Sequence, residues 1–367
     1  MKKVLCLTLA LLMVVVCLVT GCSTSIGTNG SGNAEAEKSD QSATSVGAQA
    51  EGKNTDGAKK KIGLVQINFT NPYYTGASEA FHEAADYFGY ELVEQSAENS
   101  IDEEISIIEN YIEMGVDMII ADPQDAAALE EVFQRANDAG IPTIALRSPV
   151  STSPYNCLID HYYGFNGVTY AVCEALGGKG KVLQMQGQIG HEASDSRTKG
   201  FEEAISHYPD IEILDSQPCD WDPTKAVAVV ENWLTQYDQV DAILSQTDGA
   251  TPAIVTAVES AGRLNDIKIA GNDGELECLE DMVEGKIMAE AFFSSQRDGY
   301  HCMAYADAIL RGDKVESTVY LPLYIVCSQE IQSLIKKNVE AEFNMCTPEE
   351  AIDKQQNYAQ EFQNYYK

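Results

Sequence analysis

Side chains able to hold a small polar ligand recur in this chain at one kind of place, directly after short apolar runs. Asn68-Phe69-Thr70-Asn71-Pro72-Tyr73-Tyr74 follows Ile62–Ile67, Arg147 follows Pro142–Leu146, and Asp195-Ser196-Arg197 lies a loop beyond Lys181–Met185. Gln217-Pro218-Cys219-Asp220-Trp221 follows Ile211–Leu214, Gln246-Thr247-Asp248 follows Asp241–Leu244, Asn272-Asp273-Gly274 follows Ile267–Ala270, and Gln296 stands near a late apolar run. Arg and Asp give charge-assisted hydrogen bonds to hydroxyl groups. Aromatic faces pack on ring C–H groups, and dry walls strengthen each polar contact. The set suits a neutral, hydroxyl-rich ligand. His82, His161, His191, His207 and His301 are scattered with no HxxxH pair, which predicts no metal site. Gly177-Gly178-Lys179-Gly180-Lys181 is neither GxGxxG nor a P-loop, because no Ser or Thr follows the lysine. With no nucleophile elbow either, the chain is expected to be no enzyme and to need no cofactor.

Each of these residues has a plainer alternative. Asn71-Pro72 could start a helix, Arg147 and Arg197 could form surface ion pairs, and Trp221 could be a core aromatic. Asp273-Gly274 could be a turn, and Asp248 could cap the helix after it. What gathers them is the pattern of elements. Ala77, Ala80, Phe81, Ala84, Ala85 and Phe88 recur at helical spacing after the first apolar run, and Ile101, Ile105, Ile108 and Ile112 do so after Glu91-Leu92-Val93. Asp117–Ala121, a helix over about 126–139 and Pro142–Leu146 continue the alternation, which then repeats from Lys181. A strand near 286–293, a helix near 297–311 and a strand near 318–326 follow. Such alternation predicts an α/β chain of two doubly wound parallel-sheet lobes. Ligands of open parallel sheets bind beyond the carboxyl ends of the strands, where the side chains above would meet. Thr347-Pro348-Glu349-Glu350 combines an N-cap, a first-turn proline and acids, and opens a terminal helix.

Composition narrows the setting. The formal net charge of −33 repels phosphate backbones, so nucleic acid is not an expected partner. Lys2-Lys3, the apolar run Val4–Val19 and small residues before a cut read as a signal segment over 1–21. Leu18-Val19-Thr20-Gly21-Cys22 resembles a bacterial lipobox, which would make Cys22 the lipidated first residue of a protein tethered to the outer face of a membrane. Two or three acyl chains hold such a tether stably. An uncleaved span is the other reading, but the run is slightly short and no second span follows. Residues 22–60 are expected as a lipid-anchored, disordered linker, their only large apolar residues being Ile26 and Val46. Cys157, Cys173, Cys219, Cys278, Cys302, Cys327 and Cys346 are odd in number and form no CxxC, which points to buried free thiols.

From about Lys61 to Ser328 the chain resembles the ribose-binding branch of the type I solute-binding proteins of ABC transporters. The stretches that carry the resemblance are Asn71-Pro72-Tyr73-Tyr74, Ile141–Arg147, Ser196–Phe201, Ser216–Trp221, Gln246-Thr247-Asp248 and Gly271-Asn272-Asp273-Gly274. It implies sugar contacts for Asn71, Tyr73, Tyr74, Arg147, Arg197, Trp221 and Asp273, with Thr247, Asp248 and Gln296 completing the set. Thr247 stands where the family often has Asn, Leu146 where it often has Asp before the arginine, and Gln296 competes with Phe293 for the place of a late Gln. The missing acid at 146 would leave the pocket more positive, suiting a different hydroxyl pattern or an acidic group. The resemblance implies two lobes, 61–159 with 287–316 and 160–286 with 317–345, followed by a C-terminal helix over 346–367. Hinge crossings are expected near 158–161, 284–287 and 316–319. It implies a monomer that closes on a sugar and docks on an ABC permease. A sugar-sensing or chemotaxis receptor is the alternative partner.

Overall fold

The computed structural model describes residues 59–367; the expected signal segment, Cys22 and most of the expected linker lie outside the described residues. The chain opens with β1 (Lys61–Gln66), α1 (Pro72–Phe88), β2 (Glu91–Ser96), α2 (Ile101–Met114), β3 (Met118–Ala121), α3 (Ala126–Asp138), β4 (Thr143–Arg147) and β5 (Tyr155–Leu158). It then crosses to α4 (His161–Ala175), β6 (Lys179–Gln186), α5 (Glu192–Ser206), β7 (Asp210–Pro218), α6 (Pro223–Gln236), β8 (Ala242–Ser245), α7 (Thr251–Ser260), β9 (Lys268–Asp273), α8 (Leu276–Val283) and β10 (Ala289–Phe292). The final segment comprises α9 (Ser295–Arg311), β11 (Thr318–Tyr320), β12 (Tyr324–Cys327), α10 (Gln329–Asn338), β13 (Met345–Cys346), α11 (Pro348–Gln356) and α12 (Tyr358–Phe362).

Two sheets result, as the alternation predicts. The first has the order β2-β1-β3-β4-β5-β11 and is parallel throughout. The second has the order β7-β6-β8-β9-β10-β12-β13, with β10 and β12 its antiparallel pair. The α1 stripe is buried from Ala77 to Ala85. In α2 the buried face differs from the expected isoleucine row: Glu104, Ile107, Ile108 and Tyr111 point inward, and Ile101 is exposed. The Tyr111 hydroxyl anchors that rotation by donating to the carbonyls of Leu64 and Val93. All seven cysteines among the described residues are free and buried. No helix among them is long and apolar enough to cross a membrane.

The lobe boundaries need correction. Residues 287–316 were expected in the first lobe, but β10 pairs with β9 (Ala289 opposite Ala270) and with β12, so it belongs to the second sheet. The crossing expected near 284–287 therefore follows β10, at Phe293–Ser294. Residues 317–345 were expected in the second lobe, yet β11 pairs with β5 (Thr318 opposite Asn156). The single strand expected over 318–326 is two strands in different sheets, split at Leu321-Pro322-Leu323, where Pro322 lacks the N–H a ladder needs. A short apolar strand does not carry the identity of its sheet; pairing decides it. The expected terminal helix likewise breaks at Asn357 into α11 and α12.

Candidate ligand-binding site

The loop after β1 is shaped by side-chain capping. Asn68 Oδ1 accepts from the amides of Thr70 and Asn71, and Asn71 Oδ1 accepts from the Tyr73 amide at 3.0 Å. Asn71 thus starts α1, with Pro72 in the first turn, and also lines a pocket between the lobes. Its helix-start and site readings coexist. Tyr73 and Tyr74, one residue further, present their rings to Arg147 at 4.9 and 5.3 Å.

Arg147 ends β4 with φ +64°, in the left-handed region that side-chain-bearing residues seldom adopt. Its Nε donates to Asp298 Oδ2 and its Nη1 to Asp122 Oδ2, both at 2.6 Å, and the Tyr73 hydroxyl donates to Asp298 as well. Its Nη2 is buried and unpartnered. Burial pushes the Asp122 carboxyl up to about 6 although Arg147 pulls it down. The second lobe supplies a matching group. From α5, Arg197 donates through Nη1 to the Gln246 carbonyl (2.5 Å) and through Nη2 to Asp273 Oδ1 (3.3 Å) and His161 Nδ1 (3.1 Å). Its Nε is also buried without a partner. Because an arginine only donates, His161 Nδ1 accepts and the ring proton sits on Nε2. Burial and the nearby Arg197 hold His161 well below the ordinary histidine value. Asp273, at φ +125°, receives further bonds from the Thr247 hydroxyl, the Asp248 amide and the Asn272 side chain. Trp221, at φ +62°, lies 5.7 Å from the Arg197 guanidinium and edge-on to His191. Strained backbone at three pocket-lining residues is the kind of outlier that marks ligand clamps.

Asn71, Tyr73, Tyr74, Arg147, Arg197, Asp273 and Trp221 line one pocket between the lobes. In a groove that shares Asn71, Tyr74, His191 and Trp221 with the pocket, a Cβ on Gly249 would stand 3.6 Å from Asn71 Oδ1. Over residues 62–314 the sequence matches the family described as periplasmic binding protein domain. The chain belongs to that family.

Among relatives of this periplasmic binding protein, the ribose import binding protein of Salmonella typhimurium is 28% identical over 274 residues, covering 74% of this chain and 92% of that one. The xylitol-binding protein of Mycolicibacterium smegmatis is 27% identical over 300 residues, covering 81% and 82%. Among solved structures, an ABC transporter solute-binding protein from Actinobacillus succinogenes with bound D-allose superposes with a TM-score of 0.70 at 27% identity, covering 75% of this chain and all of that one. One from Bacillus halodurans with bound myo-inositol gives 0.69 at 26%, covering 77% and 99%.

Eight of the ten residues singled out from the sequence line the pocket: Asn71, Tyr73, Tyr74, Arg147, Arg197, Trp221, Thr247 and Asp273. Asp248 and Gln296 do not. Asp248 turns its carboxylate back onto the amides of Asn272, Gly274 and Glu275, so it fixes the backbone on both sides of Asp273. Gln296 accepts from Ser295 and Gln355 on the far side of the hinge, and Phe293 takes the place in the pocket. Asp122, Ser148, Ile159, His161, His191 and Ala193 complete the lining unforeseen. Asp122 was findable by the rule used for the others, since it directly follows β3. The expectation of a more positive pocket fails: Arg147 and Arg197 face Asp122, Asp298 and Asp273. Leu146 is core.

Proposed function

We propose that this protein captures a neutral polyhydroxy molecule of monosaccharide size outside the cytoplasm and hands it to an ABC permease, tethered to the membrane by lipid on Cys22. The observation that carries the reading is the pair of arginine–carboxylate clusters, one per lobe, each with a buried guanidinium N–H free to meet a ligand oxygen. Asn71, Arg147 and Asp122 grip from one lobe, and Arg197, Asp273, Thr247 and His161 from the other. Tyr74, Trp221 and Phe293 give the slot its apolar walls. A ligand bridging both sets favours the closed state through contacts the open state lacks. The balance of two guanidinium groups against three carboxylates favours a neutral ligand over a sugar acid. The relatives named for ribose and xylitol, and the structures holding D-allose and myo-inositol, point to the same class. A thermal-shift panel of pentoses, hexoses, polyols and sugar acids tests this. A neutral ligand at about 100 times its Kd stabilises by about 2.7 kcal/mol. Stabilisation by sugar acids alone, or by nothing in the panel, overturns the assignment. Pull-down of the membrane partner distinguishes permease from receptor.

A further inference from the structure

Residues 348–367 lie beyond the matched family region and lean on both lobes. Helix α11 packs on the second lobe, where Ala351 is buried in the same apolar cluster as Leu279, Met282 and Cys346. Helix α12 packs on α9 of the first lobe: Phe362 is buried, its ring 5.0 Å from that of His301, and Tyr366 Oη lies 2.6 Å from His301 Nε2. Tyr358 donates to Glu83 of α1. Asn357 alone separates the two helices.

The segment is fastened to the hinge through Arg297. This side chain is fully buried. It donates to the carbonyl of Phe293 in the second crossing (3.3 Å) and of Pro322 in the third (2.9 Å). Its remaining donors meet both carboxylate oxygens of Glu361 at 3.0 and 2.8 Å. The rings of Phe292, Tyr324 and Phe362 surround the guanidinium at 4.7–5.6 Å. The counter-charge for a cation buried between two hinge crossings therefore comes from the chain's own end. Gln355 of α11 adds a bond to Gln296 of α9 (2.6 Å).

We propose that residues 348–367 act as a strap, a fourth connection between the lobes that biases the hinge toward the arrangement in which Asn71 meets Gly249. When the lobes rotate apart, α11 moves with one and α12 with the other. With Asn357 the only residue between the two helices, opening strains the α12 packing, the Arg297–Glu361 pair or the Gln355–Gln296 bond. Contacts that exist in one arrangement and not in the other are what shift an equilibrium between them.

The test needs no ligand, so it stands apart from the sugar assignment. Spin labels are placed through ketone-bearing residues at Met114 and Val283, exposed at the ends of α2 and α8 in opposite lobes. Interlobe distances are read by pulsed electron paramagnetic resonance in the mature protein. Three forms are compared: wild type, Glu361→Gln, and a slack form with four Gly/Ser residues inserted after Asn357. The slack form keeps every strap contact chemically possible, so it guards against a Glu361→Gln chain that fails to fold. We expect the short-distance population of both altered forms to fall about fivefold or more relative to the long one, the lower end of ordinary coupling between sites. A folded slack form with the wild-type distance distribution, or with a larger short-distance population, overturns the proposal. So does a loss of melting temperature in Glu361→Gln with no change in distances, which would make the segment ordinary core.

Discussion

Replacing Gly187 by alanine tests whether Trp221 stands where the pocket needs it. Gly187 follows β6, and its amide donates to Gln246 Oε1 at 2.9 Å. A Cβ built on it would lie 1.9 Å from Trp221 Cη2, 2.2 Å from Cζ3 and 2.4 Å from Cζ2. Carbons do not approach so closely, so the indole has to leave. The main chain at 187 is outside the left-handed region and accepts alanine without strain. Trp221 is only half-buried and can swing into the wider groove it also borders. The fold should therefore survive with a melting temperature within a few degrees of wild type.

The pocket should not survive intact. The Arg197–Trp221 cation–π contact is worth about 0.5–2 kcal/mol. Loss of an aromatic wall against the ligand adds about 0.5–1.5 kcal/mol. A combined loss of about 1–3.5 kcal/mol corresponds to roughly 5- to 350-fold weaker binding. Isothermal titration with the ligand found in the thermal-shift panel measures it, and fluorescence reports the ring. The chain has two tryptophans, and Trp233 is buried with its indole N–H on Asp215 Oδ2 at 2.9 Å, an internal reference remote from the pocket. Affinity within twofold of wild type, together with an unchanged fluorescence response to ligand, would refute the reasoning.

Three further outcomes follow from the same geometry. Arg197→Lys replaces a fork that serves Gln246, Asp273 and His161 with a point charge, and should cost about 2–4 kcal/mol of ligand affinity by calorimetry. Asp122 titrates near 6, raised by burial, so affinity for a neutral ligand should fall as pH drops through that value, by up to about tenfold per pH unit; Asp122→Asn should flatten the profile. Glu104 is buried and pushed up to about 8 from 4.5, chiefly by burial against the opposing bond from Gln124. Its folded value lies above its unfolded one, so the stability it contributes is full below about pH 4.5 and is lost as pH rises through about 8. Glu104→Gln should remove that slope and be more stable than wild type at pH 9 by roughly 2–4 kcal/mol in urea unfolding, against little difference at pH 5.

The elements that place the site were legible because their periodicities are plain. The α1 stripe and the strand-end rule brought Asn71, Arg147, Arg197, Trp221 and Asp273 together without any knowledge of contacts. What stayed hidden depended on pairing or on orientation within a turn. Nothing in Ala289–Phe292 says that it pairs with Lys268–Asp273, and nothing in Thr318–Tyr320 says that it returns to the first sheet. Thr247 and Asp248 are adjacent in one turn, yet Thr247 lines the pocket while the carboxylate of Asp248 turns away to the β9 backbone. Nothing within Thr347–Lys367 marks the break at Asn357, because the contacts that hold α12 come from residues far off in sequence.

The acid missing at 146 shows how register resolves what position along the chain cannot. Strands β3 and β4 are neighbours, and Ala121 lies opposite Ala145. Asp122 directly follows Ala121 at the end of β3, and its carboxylate meets Arg147. The carboxylate that the fourth strand lacks is thus supplied from the end of the third, and it is bonded to the Arg147 guanidinium. Read residue by residue, Leu146 makes the pocket more cationic and suggests an anionic ligand. Read across the sheet, the charge is restored with its carboxyl oxygens approaching from a different direction. The consequence is a shift in where hydroxyl acceptors sit rather than a change in net charge, so selectivity among neutral polyols is where this pocket should differ from one with aspartate at 146.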